Sequence, residues 1–228
     1  DIDSAVEGLV DAIWFNQGQV CCAGSRLLVH EGIADSFYQK LKARMQGLRI
    51  GDPLDKCIDV GAIVDPVQLD QITALVRDNT EGETYQIAAP EGCFYPPTLI
   101  TGLSPASHLM QTEIFGPVLC TVRAGSYEEA LKMAMDHEYG NGTAIFTRDG
   151  DTARDFASRI NIGMVGINVP VPVPLAYHTF GGWKKSMFGD LNQHGRDSFK
   201  FYSRTKTVTS RWPSGIKEGG EFNFKAMD

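Results

Sequence analysis

The sequence predicts an α/β protein: a doubly wound, mostly parallel sheet with a C-terminal oligomerisation strand. Three observations carry that expectation. Short β-type runs alternate with amphipathic helical stretches along most of the chain. The composition is that of an ordinary globular protein, 43% hydrophobic and 21% charged. At 228 residues, folding can remove roughly three-quarters of the unfolded chain's surface from water. Strand and helix in alternation imply parallel strands joined by crossover helices that cover both faces of the sheet.

The first helix is expected from about Asp3 to Phe15, where Val6, Val10, Ile13 and Trp14 share a face and Asp3 and Ser4 are candidate caps. It ends at Asn16-Gln17-Gly18. A β-type run from Leu27 to Val29 leads into a helix from Ile33 to Met45, with Phe37, Leu41 and Met45 in register. The pattern then recurs. Helices are expected at Pro66 to Arg77, Tyr127 to His137 and Thr152 to Ile160; strands are expected at Leu99 to Ile100, Val118 to Val122, Thr143 to Phe146 and Met164 to Val169.

Prolines from Pro170 to Pro174 forbid regular ladders, so this stretch and the following Phe180-Gly181-Gly182 read as a long loop able to line a cleft. From Phe199 to Thr209, polar and aromatic positions alternate in a strand with no later helix to cover it. That strand is expected to pair with another chain. The organisation is therefore a main domain over residues 1–198, an oligomerisation strand over 199–213 and a loose tail over 214–228.

With 21 Lys+Arg against 28 Asp+Glu the formal charge is −7, and no basic stripe is present to displace counterions from a phosphate backbone. Nucleic acid is excluded as a partner. No apolar run approaches the roughly 18 residues of a membrane span, so a soluble protein is expected. The start, Asp1-Ile2-Asp3-Ser4, lacks an initiator Met and already lies in a helical pattern, which reads as a fragment without a signal peptide. Five cysteines form an odd set without metal-ligand spacing. A reducing compartment follows, the cytoplasm or, in a eukaryote, the mitochondrial matrix. His137, His178 and His194 are widely spaced, and no metal is expected.

Two segments could carry chemistry. Gln17-Gly18-Gln19-Val20-Cys21-Cys22-Ala23-Gly24 places thiols in a Gly-flanked loop between a helix and a strand. A nucleophilic thiol needs exposure to a cleft and backbone N–H groups near the oxyanion that it creates, and a tight turn supplies both. For a Cys-Cys pair alone, burial as packing residues is the simpler reading. The second segment, Glu113-Ile114-Phe115-Gly116-Pro117, sets a carboxylate and an aromatic before a rigid turn into a strand. Such a carboxylate can accept hydrogen bonds from ribose hydroxyls, although a solvated Glu beside a core Phe explains the segment equally well by itself.

Together the two segments resemble the catalytic domain of the aldehyde dehydrogenase superfamily, with its Gly-Gln-x-Cys loop and later Glu-Ile-Phe-Gly-Pro. Tyr139-Gly140, Asn168 and Phe180-Gly181-Gly182-Trp183-Lys184 extend the likeness over nearly the whole chain. The resemblance implies oxidation of a small-molecule aldehyde with NAD or NADP through a cysteine thioester. It makes Cys21 the nucleophile, Glu113 the holder of the nicotinamide ribose and Phe115 a neighbour of the nicotinamide. It also implies a homo-dimer or homo-tetramer, with the motif Thr205 to Thr209 crossing to a neighbouring subunit.

The C-terminal part is similar to the methylmalonate-semialdehyde dehydrogenases, which use coenzyme A as acyl acceptor. Val20 stands where that subgroup carries an Arg suited to a substrate carboxylate, which favours a neutral aldehyde. The family's cofactor-binding domain, oxyanion Asn and general-base Glu all precede the segment matching Asp1. Residues 1–198 alone would therefore be incomplete, and the rival expectation is a non-catalytic chain that keeps the fold and acts as an assembly partner.

Overall fold

The computed structural model describes residues 1–212 and Gly215. The chain opens with α1 (Ile2–Trp14), capped by the Asp1 carboxylate, which accepts from Ser4 N–H at 3.2 Å; the cap thus lies two residues before the expected Asp3. A tight turn through Phe15–Gly18 and the thiol loop lead to β1 (Arg26–His30) and α2 (Glu31–Met45). Next come α3 (Pro66–Arg77), β2 (Glu83–Gln86), β3 (Thr98–Thr101), α4 (His108–Gln111) and β4 (Val118–Ala124). The last third holds α5 (Tyr127–Asp136), β5 (Tyr139–Gly140), β6 (Gly142–Ile145), α6 (Gly150–Arg159), β7 (Met164–Ile167), β8 (Trp183–Lys184) and α7 (Ser198–Phe201).

Helix starts follow local chemistry. Asp65 accepts from Gln68 N–H ahead of Pro66, Ser126 accepts from Glu129 N–H while Glu129 reaches back to Gly125 N–H, and Asp149 accepts from two amides of α6. Each such cap is worth about 1 kcal/mol.

The main sheet has the order β1-β4-β3-β2, parallel except for β2, which is an antiparallel edge. β4 sits inside it and alternates between two cores. Leu119 joins α1 and α2, with Val10, Ile13, Phe37 and Leu41. Val118, Cys120 and Val122 face Ile72 of α3 and Leu109 and Met110 of α4. Helices on both faces are what a doubly wound sheet requires. β6 and β7 pair in parallel but form a separate two-stranded sheet, packed through Ile145 and Val165 onto Leu131 and Phe156 of α5 and α6. The parallel strands are thus divided between two sheets, where one continuous sheet was expected.

In a single chain the strand pairing expected for Phe199 to Thr209 has no second copy to form with. Ser198–Phe201 is a short helix, and residues 203–212 are exposed and lie outside any strand. Among the described residues of one chain no neighbouring edge supplies ladder hydrogen bonds to this stretch, and Ser198 Oγ donates to Gly195 O at 2.8 Å, tying the turn down locally. The expected tail over 214–228 lies outside the described residues apart from Gly215.

Candidate active site

The thiol loop is set by backbone geometry before any side chain acts. Asn16, Gln17 and Gly18 all have positive φ, at 48°, 58° and 70°, so the chain reverses sharply after α1. Three amide side chains hold that reversal. Asn16 donates to Gln19 O at 2.9 Å. Gln17 bonds two successive residues, donating to Ala62 O and accepting from Gly61 N–H, both at 3.1 Å. Gln19 accepts from Val64 N–H at 3.0 Å. Gly24 N–H then donates to Ala12 O at 2.8 Å, fastening the end of the loop to α1.

This leaves Cys21 exposed and Cys22 half-buried. Burial, and then the neighbouring Cys21 thiol, push the Cys22 thiol up to about 11. Cys120, the other cysteine in this part of the fold, is fully buried in β4 and pushed up to about 12. Asn141 donates to Cys21 O at 2.9 Å, fixing the peptide that follows the thiol. Cys21 N–H donates to no other backbone group, whereas Cys22 N–H is directed at its own thiol.

The Glu113 turn meets this loop directly. A Cβ on Gly18 would lie 2.2 Å from Gly116 O, so the two backbones touch only because residue 18 is glycine. Trp14 at the end of α1 donates to Pro117 O at 3.1 Å. Gln68 of α3 donates to both Ile114 O and Phe115 O at 3.1 Å. Arg26 donates to Met110 O at 2.6 Å and Thr112 O at 2.9 Å, holding the approach to Glu113. Burial lowers the pKa of Arg26, opposed by the nearby Cys120, Glu113 and Tyr139. Phe115, with φ 53°, is 37% exposed.

Cys21, Glu113 and Phe115, the three residues expected at the site, therefore line a single cleft of about 1530 Å³. Phe180 of the Pro- and Gly-rich loop lines the same cleft. Asn168 instead braces the backbone, because its amide bonds both Thr147 N–H and Thr147 O, at 2.9 and 3.0 Å. Sequence reasoning missed Arg26, Gln17, Gln68 and Asn141 as holders of the site. Arg26 stands two residues after the Gly24 that ends the thiol loop, but its partners are more than 80 residues away in sequence, and no local pattern exposes them.

A thiol loop and an acidic-aromatic turn on one cleft suit covalent attack on a carbonyl beside a ribose-bearing cofactor. Glu113 is exposed in the cleft and Phe115 offers part of its ring, which fits the ribose and nicotinamide end of NAD.

Comparison with known proteins places this geometry. The Aldehyde dehydrogenase family model matches residues 1–208. The malonate-semialdehyde dehydrogenase of Pseudomonas aeruginosa is 42% identical over 100% of this chain and 48% of its own length. The crystal structure of methylmalonate-semialdehyde dehydrogenase from Oceanimonas doudoroffii is 40% identical with a TM-score of 0.86, covering 94% of this chain and 46% of that one. A Sinorhizobium meliloti structure solved with NAD, provisionally assigned to the same enzyme class, is 50% identical with a TM-score of 0.84, covering 96% of this chain and 46% of that one. The chain thus spans about half the length of the relatives it matches. On these grounds the chain belongs to the aldehyde dehydrogenase family.

Proposed function

We propose that this chain carries the nucleophile-bearing half of an NAD(P)-dependent aldehyde dehydrogenase. The observation that carries the reading is the meeting of the Cys21 loop and the Glu113-Phe115 turn at Gly18 and Gly116, on one cleft. In this reading the Cys21 thiolate attacks the carbonyl carbon, and the C–S bond forms as the carbonyl oxygen takes up negative charge. The Cys21 N–H, which bonds no other backbone group, stabilises that oxyanion. Glu113 accepts from ribose hydroxyls and Phe115 packs beside the ring. The cofactor, when bound, supplies the hydride acceptor that turns the thiohemiacetal into a thioester. Water or coenzyme A then releases the acyl group.

The relatives' names support a semialdehyde as substrate, and the likeness of the C-terminal sequence to the acylating subgroup favours coenzyme A as acceptor. A neutral aldehyde is the second reading, favoured by Val20, which puts no charge beside the thiol. Steady-state assays of the full-length protein with malonate and methylmalonate semialdehydes and a neutral aldehyde, each with and without coenzyme A, separate the two. Cys21→Ala is expected to lower turnover at least about 1,000-fold. Wild-type turnover in that variant would remove Cys21 from the role, whereas absence of turnover with every aldehyde in the unsubstituted full-length protein would bring forward the assembly-partner reading.

We also propose that the whole protein is a homo-dimer or homo-tetramer, working in a reducing compartment, the cytoplasm or the mitochondrial matrix. Support for assembly comes from the apolar side chains left in solvent near the C-terminus: Phe199 is 80%, Val208 76% and Trp212 91% exposed. All five cysteines are free, which fits a reducing compartment. Deleting residues from Phe199 onward should convert an oligomer to monomer or aggregate in light scattering. A full-length protein already monomeric at micromolar concentration would contradict the assembly.

A further inference from the structure

The carbonyl of Met110 and the amide of Tyr139 meet on one side chain. His137, half-buried at the end of α5 and lining the cleft, sets Nε2 3.1 Å from Met110 O and Nδ1 3.1 Å from Tyr139 N. A carbonyl oxygen only accepts and an amide N–H only donates, so Nε2 carries the proton and Nδ1 the lone pair. Both bonds together require the neutral ring in that one tautomer.

Each end of the ring leads to the proposed site. Met110 lies three residues before Glu113, and its carbonyl also accepts from Arg26. Tyr139 opens β5, two residues before Asn141, whose amide donates to Cys21 O at 2.9 Å. β5 is only two residues long; apart from its ladder with Trp183 and Lys184 of β8, it is held by Gly140 N–H, which donates to Ser186 Oγ at 3.0 Å. With so short a ladder, loss of the His137 acceptor loosens the stretch that ends at Asn141.

The surroundings oppose a second proton on the ring. Arg26 of β1 shares Met110 O with it, and Lys184 of β8 donates to His137 O at 2.9 Å and to Met135 O at 2.7 Å. Glu138 is paired with Lys185 and Asp136 with Lys132, while the Tyr139 ring lies 5.7 Å from the imidazole. Glu113 and Cys120 lie near Arg26. His108 of α4 has its ring 3.3 Å from Thr112 Oγ1, on the Glu113 side. Burial, and then Arg26, hold the His137 pKa below its ordinary value, which is about 6.5. The neutral ring is therefore the folded form at neutral pH and above, and its bonding is lost as pH falls below about 6.5.

We propose that His137 is a positioning residue for the reaction read above: its neutral ring ties the backbone approaching Glu113 to the backbone approaching Asn141 and Cys21, and acid releases the second end while leaving the first. A proton added at Nδ1 faces Tyr139 N–H, donor against donor, and breaks that bond. Nε2–H keeps its carbonyl. The positioning role rests on Cys21 and Glu113 acting as proposed; the pair of hydrogen bonds does not.

Two measurements on the full-length protein, between about pH 5 and pH 8, test this. Residue-resolved hydrogen exchange, corrected for the intrinsic pH dependence of exchange, should show protection of the Tyr139 amide falling at least about 10-fold toward acid, with the amides of β4 unchanged. In His137→Asn, and in His137→Ser as a second variant, a side-chain oxygen that does not titrate replaces Nδ1 as acceptor, so Tyr139 stays protected throughout. His108→Gln should keep the wild-type response. In steady-state assays, the ratio of wild-type to His137→Asn kcat should fall about 5-fold toward acid, and the shorter Asn side chain, withdrawn from Met110 O, should raise the NAD KM about 3-fold at every pH. Tyr139 protection that ignores pH in the wild type, or that titrates equally in His137→Asn, overturns the tie. A constant kcat ratio beside the expected exchange result overturns the positioning role at Cys21, and an unchanged NAD KM overturns it at Glu113. Absence of turnover with every aldehyde in the wild type instead defeats the enzyme reading and the role that rests on it, while exchange still decides the tie.

Discussion

Gly18→Ala probes the contact on which the site depends. Two costs add. Alanine at φ +70° sits in the left-handed region, at about 1–2 kcal/mol. Its Cβ would lie 2.2 Å from Gly116 O and 2.6 Å from Gly116 C, where an unstrained carbon-oxygen contact is about 3.3 Å. One of the two turns must therefore move by about 1 Å, and forced displacement of this kind in packed structure costs a further 1–3 kcal/mol or so. The sum is about 2–5 kcal/mol, which for a chain of this size lowers Tm by about 4–20 °C.

Gly189→Ala separates the two costs. Gly189 has φ +82° with nothing within 4 Å of the added Cβ, so only the backbone cost of about 1–2 kcal/mol applies. Urea denaturation of both variants measures the difference, which belongs to the Gly18–Gly116 contact. Equal losses in the two variants would refute the claim that the thiol loop and the Glu113 turn are held in contact there.

Three further expectations follow from the same geometry. Iodoacetamide at neutral pH should modify Cys21 before Cys22, because a Cys22 thiol pushed up to about 11 is ionised in only about one molecule in ten thousand at pH 7; its labelling should rise as pH approaches that value, and preferential labelling of Cys22 in peptide maps at pH 7 would reverse the assignment. Arg26→Lys should destabilise by about 2–4 kcal/mol in urea, since an ammonium cannot reproduce the fork that reaches Met110 O and Thr112 O; a loss below about 0.5 kcal/mol would show that the fork holds nothing. Trp14→Phe leaves Pro117 O without its donor and should cost about 1–3 kcal/mol by the same measurement, whereas a neutral substitution would mean that the indole acts only by filling space.

The sequence made the elements legible where periodicity was strong. Pro66 to Arg77 begins and ends as expected because Asp65 caps it and Pro66 presets its first turn. β4 was readable from Val118 to Val122, apolar apart from Thr121, because both of its faces are buried there. β2 was not: Glu-Thr-Tyr-Gln is an antiparallel edge exposed over most of its length, so it carries almost no apolar signal. The C-terminal alternation from Phe199 forms no ladder among the described residues of a single chain, since a two-residue period becomes a strand only against a partner edge, and the expected edge belongs to another copy. Cys21, Glu113 and Phe115 were found from their local motifs, whereas the side chains that hold those motifs bond to distant backbone and leave no trace in spacing.

That asymmetry has a physical origin. Reactive groups must be presented on turns, and turns announce themselves through Gly, Pro and positive-φ residues in adjacent positions. Holding two turns together is the work of long-range contacts: Gly18 on Gly116, Trp14 on Pro117, Gln68 on the carbonyls of Ile114 and Phe115, and Gln17 on Gly61 N–H and Ala62 O. Three of these four contacts end on backbone atoms of the Glu113 turn, and the fourth ends on backbone of the Gly61 segment. Substitution at the accepting positions therefore leaves the acceptors in place, provided the backbone keeps its path. Substitution at the donors, or at Gly18, removes the constraint itself. Site geometry in this fold is consequently more sensitive to residues 14, 17, 18 and 68 than to the identity of Ile114, although Ile114 is the more deeply buried within the turn.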